Sequence, residues 1–239
     1  MREKALITGA SRGIGEAVAR ILAQEGYDLF LVCRNSEEAI RKIKEELESA
    51  YGVYCETRLC DVSDPMQVET MMKEAGEIHV LINNAAISHV GLLTDMTLEQ
   101  WHRVMDTNLS SLFYTCRQVV PQMVRRRSGK ILNVSSVWGN VGASMEVAYS
   151  ASKGGVNSFT KALAKELAPS GIQVNGVAFG VIDTSMNACF SKDEMESLRE
   201  EIPADRLGSA KEAAEMIRQI IQSPAYLTGQ IITMDGGWI

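Results

Sequence analysis

The sequence predicts a single-domain α/β fold, a doubly wound parallel sheet of about seven strands with helices on both faces. Three observations predict it. Short apolar, β-branched runs recur along the 239 residues, at 4–8, 28–33, 53–58, 78–82, 130–134, 172–177 and 230–234. Amphipathic stretches lie between them, including 14–25, 37–50, 65–75, 98–125, 150–168 and 210–222. No Pro/Gly/Ser-rich linker, charge block or internal repeat divides the chain. Strands alternating with helices imply right-handed crossovers and a parallel sheet covered on both faces. Such a sheet binds ligands at the carboxyl ends of its strands. Functional residues are therefore expected just after each strand run.

Composition narrows the function. A hydrophobic content of 46% is enough for a sizeable core, and a net charge of −6 argues against nucleic acid as the main partner. The one basic run, Arg125-Arg126-Arg127, ends a helical stretch, where cations suit the helix dipole. The chain passes directly into its first strand pattern, with no signal-peptide pattern and no apolar run long enough to span a membrane. A cytoplasmic protein is expected. The five cysteines (33, 55, 60, 116 and 189) form no C-x-x-C pair and read as reduced core thiols. His79, His89 and His102 share no metal-ligand spacing, and no metal site is expected.

The loops after the strands carry the chemistry. After the first strand, ALITGASRGIGEA places Gly9, Gly13 and Gly15 between strand and helix. Gly9 permits a tight turn, and the later glycines let backbone approach a pyrophosphate and helix pack on strand. After the second strand the chain reads Cys33-Arg34-Asn35, without the carboxylate that would hold a ribose 2′-hydroxyl. Arg34 together with Arg12 is suited to clamp a 2′-phosphate, which points to NADP(H). After the third strand, Asp61 either accepts from an adenine amino group or caps the helix that begins near Asp64. After the fourth, Asn83-Asn84-Ala85-Ala86 lets a nucleotide ribose lie close to the backbone. Farther on, VAYSASKGG sets Tyr149 and Lys153 four residues apart, on one helical face, with only small residues between.

Loop by loop, these residues resemble the short-chain dehydrogenase/reductase family, whose fold is of Rossmann type. The matching pieces are TGASRGIG (8–15), Asp61-Val62, NNAA (83–86), Asn108 within MDTNLSS, Ser136 within NVSSVWG, and Tyr149-x-x-x-Lys153. The resemblance runs from Lys4 to the DGG near the C-terminus. It implies catalytic roles for Asn108, Ser136, Tyr149 and Lys153 in an NADP(H)-dependent oxidoreductase. Tyr149 would be the proton donor to the nascent alkoxide. A free phenol titrates near ~10, and a neighbouring ammonium is expected to pull it toward neutrality. Lys153 would supply that charge and bond the nicotinamide ribose. Ser136 would hold the substrate carbonyl oxygen, and Asn108 a water that relays protons to Lys153. The implied cofactor set is Gly9, Ser11, Arg12, Gly13, Ile14, Gly15, Arg34, Asn35, Asp61, Val62, Asn83, Ala85, Tyr149, Lys153, Ile182 and Thr184.

One domain, 1–239, would then comprise a cofactor half (about 1–135) and a catalytic and substrate half (about 136–239), with a mobile lid at about 183–203. Three departures from the family pattern stand out: Ala86 for Gly, Phe179-Gly180 for Pro-Gly, and His79 for Asp. Phe179 is expected to add bulk beside the nicotinamide and to free the loop that follows it. Trp138, Met145 and Glu146 would flank the substrate mouth. Glu146 is either an amine-receiving carboxylate or an exposed loop acid.

The substrate tracts resemble bacterial 3-oxoacyl-[acyl-carrier-protein] reductases, and more closely a subgroup assigned as elongation factor P 5-aminopentanone reductases. A small-molecule or carrier-bound ketone is the implied substrate. A hydroxysteroid or sugar-alcohol dehydrogenase and a non-catalytic NADP-binding sensor stay as alternatives. The resemblance also implies a homotetramer, paired through the long helices 98–125 and 150–168 and through the tail Gly229 to Ile239.

Overall fold

The computed structural model describes residues 2–187 and 190–239. Its elements run β1 (Lys4–Thr8), α1 (Gly13–Gln24), β2 (Asp28–Cys33), α2 (Glu37–Tyr51), β3 (Cys55–Leu59), α3 (Pro65–Ala75), β4 (Val80–Asn83), α4 (Leu98–Met105) and α5 (Ser111–Arg126). They continue as β5 (Gly129–Ser136), α6 (Trp138–Val141), α7 (Val147–Leu167), β6 (Ile172–Phe179), β7 (Ile182–Asp183), α8 (Lys192–Glu201), β8 (Gly208–Ser209), α9 (Ala210–Ile221) and β9 (Ile231–Met234). Seven strands form one parallel sheet in the order β3-β2-β1-β4-β5-β6-β9. The winding reverses between β1 and β4, and the crevice outside their carboxyl ends is where such sheets take ligands.

Period-two alternation divides the core. Ala5, Ile7, Leu29, Leu31, Val80 and Ile82 point to the face covered by α1, α2 and α9. Leu6, Phe30, Val32 and Leu81 point to the other, under α3, α5 and α7. Both faces are apolar, which is why the strands read as continuous hydrophobic runs. Local signals set the helix ends. Asp64 accepts from the amides of Met66 (2.9 Å) and Gln67 (3.3 Å) at the start of α3, and Gly52 closes α2 at φ +62°.

The structure departs from the predicted elements in three places. The stretch 98–125 is two helices joined by a π-helical turn, Asp106–Ser110. The turn's wider hydrogen-bond spacing reorients the chain between α4 and α5. α6, β7 and β8 are too short to leave a periodic pattern. α8 is a polar helix started by a reciprocal cap, with Glu194 N–H on Ser191 Oγ and Ser191 N–H on Glu194 Oε2.

Phe179 corrects an expectation. It is the last residue of β6, 3% exposed, and belongs to the core beneath α1 and α9. Its ring is a packing element of that core, so it gives no ground for a looser following loop. His79 has a structural role, its Nδ1 accepting from Lys4 N–H at 3.1 Å. Cys33, Cys55, Cys60 and Cys116 are free and buried, and burial pushes the thiols of Cys55 and Cys116 up to about 12. Cys189 lies outside the described residues. Among the described residues no helix is long and apolar enough to cross a membrane.

Candidate active site

The floor of the crevice is made by two loops fastened together. Thr8 Oγ1 accepts the amides of Asn84 and Ala85, each at 3.0 Å. Asn84 Nδ2 donates back to the carbonyls of Thr8 (2.9 Å) and Gly9 (3.2 Å). The closeness explains two glycines. A Cβ on Gly15 would lie 2.3 Å from Gly9 O, and Gly9 itself holds φ +68°. Arg12 is the N-cap of α1 with extended backbone and no side-chain cap bond, and it is exposed. Ser11, Gly13 and Ile14 are half-buried in the same turn. Thr184 arrives over this loop, its Cγ2 3.3 Å from where a Gly13 Cβ would stand, while Ile182 is buried in the core. Thr8 and Asn84 were not singled out from the sequence. The signal was the hydroxyl and the second amide inside TGAS and NNAA.

Two predicted cofactor residues have their side chains elsewhere. Asn83 donates to Asn133 Oδ1 and accepts from Thr115 Oγ1, both at 2.9 Å, and is buried. Only its backbone is left for a ligand. Val62 is likewise packed in the core beside α3.

Beyond the ends of β2 and β3 lies a polar cleft of about 610 Å³, lined by Arg34, Asn35, Asp61, Glu99 and Arg103 among others. Asp61 does not cap α3, since Asp64 does so. Its Oδ2 lies 3.0 Å from Arg103 Nη2 and 4.0 Å from Arg34 Nη1. Arg34 Nε also reaches Asn35 Oδ1 at 3.2 Å. Arg12 does not line this cleft. The second arginine beside Asp61 is Arg103, from α4. Sequence spacing gave no sign of it, because α4 reaches the cleft only through the sheet's winding.

The residues expected to carry proton chemistry meet at the end of β5 and the start of α7. Tyr149 and Lys153 share a face of α7, with Lys153 Nζ 5.5 Å from the centre of the Tyr149 ring. Lys153 is 2% exposed and donates to Val134 O at 2.8 Å. Burial pulls its ammonium down to about 8. Burial also pushes the Tyr149 phenol up to about 12, an effect that the Ser136 hydroxyl opposes and the Glu146 carboxylate reinforces. The direction for Tyr149 is opposite to the sequence expectation. Desolvation of a buried phenolate outweighs an ammonium that is itself desolvated. Burial thus disfavours the phenolate of Tyr149.

Asn108, in the π-helical turn, is 1% exposed. Its Oδ1 accepts from Ile87 N–H (2.9 Å), and its Nδ2 donates to Ile87 O (2.8 Å) and Ser152 Oγ (3.0 Å). Both donors are used, so the side chain fastens the β4 loop to α7. The sequence expectation of a water held by this amide is reduced to the second lone pair of Oδ1. Ser152, which also donates to Tyr149 O at 2.7 Å, was read only as a small spacer. Ser136 Oγ accepts from Trp138 N–H at 3.2 Å.

Of the residues expected at the substrate mouth, Trp138 stands edge-on to Trp238, ring centres 4.8 Å apart. Met145 is exposed at φ +63°, and its carbonyl accepts from Gly91 N–H at 2.8 Å. The Glu146 carboxylate is taken by the Ser88 hydroxyl, which ties the start of α7 to the β4 loop.

Comparison with known proteins agrees with this geometry. The family described as short chain dehydrogenase matches residues 3–195. The Bacillus subtilis protein called uncharacterized oxidoreductase YmfI is 40% identical over 240 residues, covering 100% of this chain and 99% of its own. The 3-oxoacyl-[acyl-carrier-protein] reductase FabG of Staphylococcus aureus strain Mu50 is 40% identical, covering 99% and 98%. That of Escherichia coli K12 is 37% identical, covering 98% and 96%. A variant of actinorhodin polyketide ketoreductase, solved with NADPH, superposes with a TM-score of 0.92 at 35% identity, covering 99% of this chain and 97% of its own.

Proposed function

Because the chain belongs to the short chain dehydrogenase family, we propose that it is an NADPH-dependent carbonyl reductase of 3-oxoacyl-[acyl-carrier-protein] reductase type, turning a ketone into a secondary alcohol. The observation that carries this reading is the buried cluster of Tyr149, Ser136 and Lys153 at the carboxyl end of the central strands. The relatives named as 3-oxoacyl reductases and the ketoreductase solved with NADPH support the substrate class and the cofactor.

The residues present fit a dinucleotide. The glycine turn brings backbone and the uncapped first amides of α1 to one place, suited to a pyrophosphate. Arg34 follows β2 where a carboxylate would disfavour a 2′-phosphate. NADPH, when bound, supplies the hydride. The chain supplies the rest. Ser136 Oγ, with one lone pair occupied by the Trp138 amide, turns its proton toward a carbonyl oxygen. Tyr149 Oη gives its proton to that oxygen as charge develops there. Lys153, tied to Val134 O with its Nζ 5.5 Å from the centre of the Tyr149 ring, places a positive charge beside the phenol that favours the phenolate left after proton donation. Asn108 and Ser152 keep α7 registered against the β4 loop.

The test is NADPH oxidation against an acetoacetyl thioester, an aminoketone, a steroid ketone and small diketones. The thioester should give the highest kcat/KM, NADPH should be preferred over NADH, and Arg34→Asp should reverse that preference. Tyr149→Phe should abolish reduction while NADPH still binds. A wild type that favours NADH, or a Tyr149→Phe variant that keeps most activity, would overturn the proposal.

A further inference from the structure

The last residues of the chain connect two parts of the substrate side that are distant in sequence. Asp235 folds the tail by accepting Gly237 N–H on Oδ1 and Ile239 N–H on Oδ2, each at 3.0 Å. Folded so, Gly236 O accepts Ala204 N–H at 3.1 Å. A Cβ on Gly236 would stand only 2.8 Å from Ile202 Cγ2. The tail is thus seated on the segment that ends α8. The same fold carries Trp238 onto Trp138, ring centres 4.8 Å apart and planes at 61°.

Trp138 is joined to the reacting groups on its other side. Its amide holds Ser136 Oγ at 3.2 Å. The next residue, Gly139, lies so close to α7 that a Cβ there would meet Lys153 C at 2.7 Å and Lys153 O at 2.8 Å. Asn140 then fixes α6 through Asn157 Nδ2 (2.9 Å), whose Oδ1 takes the Ser135 hydroxyl at 2.6 Å. α6 is therefore held firmly along its Gly139–Asn140 side, whereas the Trp138 indole has the tail's indole as its aromatic partner.

We infer that Trp238 is a positioning residue. Its ring braces Trp138, the braced Trp138 amide fixes Ser136 Oγ, and the serine hydroxyl keeps its proton directed at the substrate oxygen. The bracing also joins the segment after α8 to the serine. The catalytic consequence rests on the reductase reading above. The bracing itself does not.

The experiment compares full-length wild type, Trp238→Ala and Trp238→Phe in three measurements. The first is the exchange rate of the Trp138 amide followed by NMR, which needs no substrate. An edge-to-face pair is worth enough to change a local opening equilibrium by between about twofold and tenfold. Trp238→Ala should speed exchange by that factor, and Trp238→Phe, which keeps an aromatic edge, should restore most of the protection. The second is the exciton signal of the indole pair in circular dichroism, present in wild type and lost in both variants. The third is steady-state reduction of an acetoacetyl thioester. Trp238→Ala should lower kcat by about the same factor, Trp238→Phe should recover it, and NADPH Kd should stay at the wild-type value in both. Equal Trp138 exchange in all three proteins would overturn the inference. So would unchanged kcat in Trp238→Ala, or a parallel loss of NADPH binding and of thermal stability, which would make the tail a general structural element. If the wild type reduces none of the ketones while exchange follows the predicted pattern, the reductase reading fails and the bracing stands.

Discussion

Replacing Lys153 by Met should make the protein more stable at neutral pH while removing its activity. The ammonium is 2% exposed, and burial draws it from 10.5 to about 8. At about 1.4 kcal/mol per unit, holding it charged in the folded state costs about 3 kcal/mol at pH 7. Methionine fills similar space without a charge. It also leaves Val134 O without the donor that now stands at 2.8 Å, a loss of about 1–2 kcal/mol. A net gain of about 1–2 kcal/mol is expected.

The pH dependence is the sharper test. A lowered folded-state pKa means that the unfolded chain binds more protons between pH 8 and 10.5, so wild-type stability rises with pH across that window. The penalty is fully present below pH 8 and gone above 10.5. From pH 7 to pH 10 the wild type should close on the variant by about 2 kcal/mol. Urea unfolding of both proteins, at matched protein concentration and stepped pH, measures the difference directly. Parallel stability curves for wild type and Lys153→Met would refute the reasoning, because they would mean that the amine is not charged and buried as described.

Three more outcomes are expected. Phe179→Ala should cost about 3–5 kcal/mol in urea unfolding, the range for an aromatic removed from a packed core, with little change in NADPH Kd. A stability loss under ~1 kcal/mol would contradict its place in the core. Gly15→Ala puts a methyl 2.3 Å from Gly9 O and 2.7 Å from Asn84 Nδ2, so the two loops must part. NADPH affinity measured by fluorescence titration should fall about tenfold or more, and unchanged affinity would show the floor to be more yielding than its geometry implies. Leu98 on α4 and Phe113 on α5 are exposed, which favours pairing through these helices in a homotetramer. Sedimentation velocity at micromolar concentration should show four chains, and a stable monomer would exclude it.

The sequence by itself determined the sheet, its seven strands and the side chains of the proposed catalytic cluster. These depend on local patterns. A strand buried on both faces must be apolar throughout, a glycine turn must keep its glycines, and two residues four apart on a helix must share a face. The spacing of Tyr149 and Lys153 is therefore legible in the sequence alone. Only the tertiary structure decided how those groups are charged. Tyr149 is driven up and Lys153 down because α7 is buried there against β5 and α6, and the extent of that burial is not written in a four-residue spacing. The fold likewise decided which amides serve the core and which the cleft. Asn83 turns to Asn133, while its neighbour Asn84 holds Gly9. Arg103 lay outside the sequence reading for the same reason, and Trp238 entered it only as part of a tail expected to pair subunits. Each reaches the site from an element far along the chain, and what it does depends on the one partner that folding places beside it, Asp61 for one and Trp138 for the other.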